Sequence, residues 1–170
     1  FPKPDWAVQW VPHGINKRSF YPITALHPDA PQFEKFKENF KKSNDVDFII
    51  FWNNRNIRRK QPGDLVLAYK HFCDSLPKEK AMRCMLVLKT QASDPNGTDI
   101  PAVKRALCPD YKIYIHDANI DAKEMNFWYN LADITVNIAS NEGFGISWCE
   151  SLMAGTPIGN NVTGGLQGGC

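Results

Sequence analysis

The chain has 170 residues, of which 43% are apolar and 22% charged, proportions that exclude a disordered, collagen-like or low-complexity protein. That length predicts one domain of ordinary size with room for a real hydrophobic core. Twenty Lys and Arg stand against 18 Asp and Glu, for a formal charge of +2; this is too balanced for counterion-release binding, so no nucleic-acid partner is expected and any anion site must be local.

Residues 1–31 hold six of the twelve prolines and no sustained period, and read as an interdomain linker with a short strand at 7–11. Phe33, Phe36 and Phe40 then recur three and four apart among charges, the stripe of an amphipathic helix over 32–42. From there short β-rich apolar runs alternate with segments of helical period. Strands are expected at 47–52, 83–89, 112–115, 133–139 and 157–159. The intervening helices are expected at 62–76, opened by Pro62; at 100–107, capped by Thr98 or Asp99; at 121–131; and at 144–154, closed by Gly155. Strands joined by helical crossovers lie parallel with helices on both faces, so the fold class is α/β, a doubly wound, Rossmann-like parallel sheet. Ligands of such sheets bind beyond the carboxyl ends of the strands, which selects the loops 53–61, 90–99, 116–120, 140–145 and the chain from 160 onward.

The longest apolar runs, such as 48–52 and 85–88, are far short of the roughly 20 residues that cross a bilayer. Five cysteines, an odd number with no C-x-x-C pair and no zinc-finger histidine spacing, argue against a disulfide framework and a structural metal, and a reducing cytoplasm fits best. The start Phe1-Pro2-Lys3-Pro4-Asp5 has neither an initiator Met nor the apolar run of a signal peptide, so the chain is expected to be cut from something longer.

The first selected loop carries Arg55-Asn56-Ile57-Arg58-Arg59-Lys60, four cations in six residues after a strand and before a helix. An arginine forks onto two phosphate oxygens and a lysine supplies a mobile point charge, a combination suited to a diphosphate; a solvated surface turn is the competing reading. The fourth loop, Ser140-Asn141-Glu142-Gly143-Phe144-Gly145, opens a helix, and eight of the eleven glycines lie at or after Gly143. Glycines at a helix start leave backbone N–H groups facing an anion, with the helix dipole adding to the attraction, so Gly143, Phe144 and Gly145 are candidate phosphate contacts. Glu142 on the loop is within reach of a sugar, and Glu150 further along the helix is placed to accept from ribose hydroxyls, although an ordinary helix-surface carboxylate is the blander reading of Glu150.

Two rival motifs fail by a residue. The dinucleotide pattern G-x-G-x-x-G has Trp148 in place of its third glycine, and Gly145-Ile146-Ser147-Trp148-Cys149 lacks the last glycine of a hydrolase elbow, with no suitable His after it, so Ser147 is a weak nucleophile candidate. His116-Asp117 follows the third strand, and His116 reads as a loop residue lining a pocket; Trp128 and Tyr129 read as packing.

The residues 126–166, N-F-W-Y-N-L-A-D-I-T-V-N-I-A-S-N-E-G-F-G-I-S-W-C-E-S-L-M-A-G-T-P-I-G-N-N-V-T-G-G-L, resemble the carboxyl-terminal, donor-binding half of GT-B glycosyltransferases, in the retaining group called glycosyltransferase family 4 or group 1. The stretch is similar to that family's aromatic helix, A-D strand, E-G-F-G loop, G-T-P helix end and G-G-L turn, and Glu142 and Glu150 keep its E-x7-E spacing. Arg55 and Lys60, five apart, match its basic segment, with Asn54 where a glycine usually precedes the arginine. Val11-Pro12-His13-Gly14-Ile15-Asn16 is similar to the stretch that enters the domain, and Gly168 departs from the glutamate often found after the G-G-L turn. The resemblance implies a nucleotide-sugar-binding domain over 32–170. In it Arg55 and Lys60 hold the donor diphosphate, Glu142 acts on the donor sugar, and Asn54, Gly143, Phe144 and Gly145 line the sugar and phosphate. Glu150 binds ribose, and His116 and Ile120 border the base. It also implies no cofactor and no metal, a nucleotide sugar as donor, a glycan, lipid or small-molecule acceptor, a separate amino-terminal domain, and peripheral membrane association through the full-length enzyme. A non-catalytic nucleotide-binding or assembly module of the same fold is the alternative.

Overall fold

A computed structural model describes residues 13–164 of the chain; the strand expected at 7–11 lies outside them. Five strands, β1 (Phe48–Asn53), β2 (Cys84–Lys89), β3 (Lys112–His116), β4 (Ile134–Asn137) and β5 (Ile158–Asn160), form one parallel sheet in the order β3-β2-β1-β4-β5. Its helices are α1 (Ala30–Asn44), α2 (Pro62–Asp74), α3 (Lys78–Ala81), α4 (Ile100–Leu107), α5 (Ala122–Leu131) and α6 (Ile146–Met153).

The central strands are apolar at both parities because both faces are covered. Ile49 and Phe51 of β1 and Met85 and Val87 of β2 pack with Phe33 of α1 and Phe127, Trp128 and Tyr129 of α5. Ile50, Trp52, Leu86 and Leu88 pack on the other face with Leu65, Val66 and Tyr69 of α2, Ala81 of α3 and Ile100 of α4. The expected doubly wound α/β sheet is therefore the observed one.

Departures at the element ends have local causes. The helix expected through 76 stops at Asp74, and the short α3 follows Pro77; a proline biases the residue before it away from helical backbone. β4 ends at Asn137, whose side-chain oxygen accepts the N–H of Ala139 and turns the chain out of the sheet. α6 starts at Ile146, after Gly145 in a left-handed conformation (φ 79°). Of the two candidate caps of α4, Asp99 is the one that accepts a helix N–H, from Ala102 at 2.9 Å.

The segment before α1 is fastened to the body. Phe20 is buried against Tyr129, Asn126 exchanges hydrogen bonds with the backbone of Tyr21, and the side-chain oxygen of Asn130 accepts the N–H of Ile23 at 2.8 Å. This brings His13 to the carboxyl ends of the strands, where its ring lies 4.8 Å from that of Phe144.

Candidate functional site

Strand order reverses between β1 and β4: the chain runs from β1 outward to β2 and β3, then returns to place β4 on the other side of β1. Loops leaving two such strands part in opposite directions, which opens a crevice at the carboxyl end of the sheet. A cleft of about 500 Å³ lies there, lined from the β1 side by Asn53, Asn54, Arg55, Arg59 and Lys60 and from the β4 side by Glu142 through Ser147 and by Glu150. The structure thus brings together eight of the sequence-selected residues: Asn54, Arg55, Lys60, Glu142, Gly143, Phe144, Gly145 and Glu150.

The basic loop is held rigidly. Asn56 is fully buried, donates to the carbonyls of Gln91 and Thr98, and accepts the N–H of Thr98, which ties the β1–α2 loop to the β2–α4 loop. A 3₁₀ turn at Arg58–Lys60 then aims successive cations differently. Arg55 is 68% exposed and donates through Nε to Asp94 at the rim, whereas the Lys60 side chain is 9% exposed and pairs with Oε1 of Glu142. Arg59 donates through Nη1 to the carbonyl of Asn141 at 2.7 Å and to Oε2 of Glu142 at 3.3 Å. Arg58 does not line the cleft.

Glu142 is the electrostatic centre of the site. Burial by itself would raise its pKa, but donation from Lys60, Asn137 and Arg59 outweighs burial and holds it below the usual carboxylate range. Burial draws Lys60 downward, and Glu142 opposes that. The arrangement is a salt bridge whose partners each stabilise the other's charge. Among the described residues Glu150 has no ion-pair partner: burial raises its pKa, eased by the hydrogen bond from the Tyr129 hydroxyl at 2.6 Å. That hydroxyl in turn accepts from Asn53 at 2.9 Å. The two carboxylates eight residues apart therefore sit in opposite environments, one over-neutralised and one poorly solvated.

The glycines divide by role. A Cβ on Gly164, whose φ is +56°, would stand 2.0 Å from the carbonyl oxygen of Glu142, so part of the glycine clustering serves the chain's own crossing over the loop. A Cβ on Gly143 would meet nothing within 4 Å, which leaves the backbone there open to a ligand.

His116 and Ile120 are not in the cleft lining. β3 is the edge strand, two strands from β1; Ile120 packs on the α5-side core, and the His116 ring lies 5.1 Å from that of Trp128. Nε2 of His116 and Oγ1 of neighbouring Thr90 are buried without a hydrogen-bond partner among the described residues, and burial lowers the pKa of His116. Sequence reasoning passed over Arg59 as an individual, and Asn53, Asn137 and Tyr129 altogether as site residues. For Asn53 the signal was present, a polar residue closing the otherwise apolar strand Phe48–Asn53; for Asn137 it was weaker, since β4 already holds Thr135 and the Asn137 side chain also turns the chain at Ala139. Tyr129 gave none, because its ring fills the core while only its hydroxyl faces Glu150. Ser147 lines the cleft but has no hydrogen bond to a histidine among the described residues. Among those residues, too, there is no group of three or more His, Cys, Asp or Glu that could hold a metal ion, and no helix is long and apolar enough to cross a membrane.

No known family profile matches the chain. It is 25% identical over 158 residues to the α-monoglucosyldiacylglycerol synthase of Acholeplasma laidlawii, covering 92% of this chain and 36% of that protein. It is equally 25% identical to the D-inositol 3-phosphate glycosyltransferase of Xylanimonas cellulosilytica, over 92% of this chain and 35% of the relative. The chain thus spans about a third of the length of the curated relatives it matches. Among solved structures, the carboxyl-terminal domain of a glycosyl transferase group 1 family protein (LpcC) from Francisella tularensis superposes with a TM-score of 0.67 at 19% identity, over 89% of this chain and 72% of that one. Anabaena Alr3699/HepE in complex with UDP-glucose superposes with a TM-score of 0.65 at 14% identity, over 91% and 38%. The chain has the GT-B carboxyl-terminal-domain fold.

Proposed function

We propose that this chain carries the nucleotide-sugar site of a retaining glycosyltransferase of family 4 or group 1, working without a metal. The observation that carries the reading is the convergence of the basic loop, Glu142, Glu150 and the amino end of α6 in one cleft at the β1/β4 switch point. The sequence similarity to two glycosyl-transferring enzymes supports it, as does the shared fold of Anabaena Alr3699/HepE, whose structure holds UDP-glucose.

In this reading a donor diphosphate lies between the basic loop and α6. Lys60 from the floor and Arg55 from the rim meet the negative charge that grows on it as the sugar–phosphate bond breaks, and the backbone of Gly143, Phe144 and Gly145 faces its oxygens with the helix dipole behind. That charge is met without a metal. Glu142 accepts from sugar hydroxyls, Asn54 lines the same space, and Glu150, held by Tyr129, accepts from the ribose. The base lies toward β2 and β3, bordered by His116 and Ile120, a placement that rests on the family resemblance, since neither residue lines the cleft. The acceptor, a glycan, lipid or small molecule, approaches from a separate amino-terminal domain, and a lipid acceptor would bring the full-length enzyme to a membrane surface in the cytoplasm.

The test is calorimetric titration of the chain with UDP, GDP and ADP and their sugar conjugates, beside Glu150→Ala. Selective binding of one nucleotide, weakened about tenfold or more in the variant, is expected from losing hydrogen bonds to a charged acceptor. No binding of any of them by the folded chain would refute the reading.

A further inference from the structure

The basic loop delivers one more cation to the cleft than the family resemblance assigns, and its present partner is a carboxylate that the same site needs for sugar. We propose that Arg59 is a diphosphate-binding residue that exchanges Glu142 for a phosphate oxygen when the donor enters, freeing Oε2 of Glu142 for a sugar hydroxyl. This inference rests on the nucleotide-sugar reading above and adds to it a residue and an exchange.

Three observations carry it. First, Glu142 is enclosed by protein donors: Lys60 and Asn137 occupy Oε1, Arg59 donates to Oε2, and the side chain is only 4% exposed. With so little of the carboxylate open to the cleft, a sugar hydroxyl gains access to Oε2 when the Arg59 side chain, which covers it, swings aside. Second, the donors differ in freedom. Lys60 is buried and Asn137 sits within β4, but the Arg59 side chain is 47% exposed and makes the longest of the three contacts, at 3.3 Å. Third, Arg59 has an anchor that survives the exchange. Its Nη1 donates to the Asn141 carbonyl at 2.7 Å, and its own carbonyl accepts from the backbone N–H of Ser140 at 2.8 Å. The other guanidinium nitrogens have no partner among the described residues, so a short pivot presents two N–H groups to a phosphate with the loop staple intact. A diphosphate offers more negative charge than one carboxylate oxygen, and that difference in affinity is what shifts the arginine.

The experiment measures binding of the best nucleoside diphosphate, and of its monophosphate, to the wild-type chain and to Arg59→Gln, Arg59→Lys and Glu142→Gln. Arg59→Gln is expected to weaken the diphosphate about tenfold and the monophosphate less than about threefold, with partial recovery in Arg59→Lys, which restores charge without the fork. Glu142→Gln is expected to tighten free diphosphate several-fold, because Arg59 no longer has a carboxylate to leave. Unchanged diphosphate binding in Arg59→Gln, or equal weakening of both nucleotides as a purely loop-positioning role would give, overturns the assignment while the nucleotide-sugar reading stands. Unchanged or weaker diphosphate binding by folded Glu142→Gln overturns the exchange. A wild-type chain that binds neither nucleotide overturns both readings together.

Discussion

A single missing side chain shapes the basic loop. A Cβ on Gly97 would stand 2.2 Å from the carbonyl oxygen and 2.4 Å from the side-chain oxygen of Asn56, the buried residue whose three hydrogen bonds fasten this loop to its neighbour. Gly97→Ala should therefore lower stability by about 2–3 kcal/mol through overpacking and a disturbed hydrogen-bond set, with weakened nucleotide binding. Gly63, one residue into α2, meets only a methyl of Thr98 at 3.8 Å. Gly63→Ala should raise stability by about 0.4–1 kcal/mol, because it restricts the unfolded chain without strain in the folded one. Urea midpoints of the two variants check the pair, and equal destabilisation would contradict the contrast. None of this could be read from the sequence, where Asp94-Pro95-Asn96-Gly97 is an ordinary turn and Asn56 one polar residue in a basic run. Only proximity across 41 positions makes that asparagine a structural peg.

The helix α6 joins binding to an electrostatic penalty. It delivers its backbone N–H groups to the cleft through the left-handed Gly145 and carries Glu150 to a half-buried place in the cleft wall, where burial raises its pKa. A carboxyl whose folded pKa is raised above its unfolded value favours the fold when protonated. Its contribution is present at low pH and is lost as pH rises from the unfolded value through the raised folded one. Glu150→Gln mimics the protonated form and keeps an oxygen for the Tyr129 hydroxyl. It should melt higher than wild type at pH 7, with the gap closing as pH falls toward the ordinary carboxylate range, and should bind the nucleotide more weakly. Melting curves of both proteins between pH 4 and 8 read this directly; a variant that melts lower than wild type at pH 7 would show that Glu150 stabilises the fold as an anion. Glu142 has the opposite sign. Its lowered pKa gives stability that is present above the unfolded value and lost as pH falls through the folded one, so the two glutamates of one spacing motif make opposite contributions to acid stability.

At the scale of the molecule, the cleft is a consequence of topology, and its walls come from two loops that meet only in the folded state. A ligand that bridges them should stabilise the whole. At a hundred times its dissociation constant, a nucleotide that binds only the folded chain adds about 2.7 kcal/mol, which for a domain of this size raises the melting temperature by roughly 5–10 °C. A nucleotide with calorimetric affinity and no melting shift would indicate binding to something other than the intact site.

Much was written locally. Apolar runs at both parities, such as Phe48–Asn53, require a strand covered on two faces, and their alternation with helical stripes leaves little besides a doubly wound sheet, because parallel neighbours need helical crossovers. The phosphate-facing loop was legible for the same kind of reason: glycines and a helix start act through backbone geometry, which is local. What sequence could not rank was the four cations. Whether Arg55, Arg58, Arg59 or Lys60 meets the carboxylate depends on the direction of a 3₁₀ turn and on a partner, Glu142, at least 82 residues away, as it does for the Tyr129 hydroxyl and the His116 ring. Those assignments are set by strand order and by the packing of α5 and α6 on β1 and β4, because an ion pair or a buried hydrogen bond forms only where the fold removes both groups from water together.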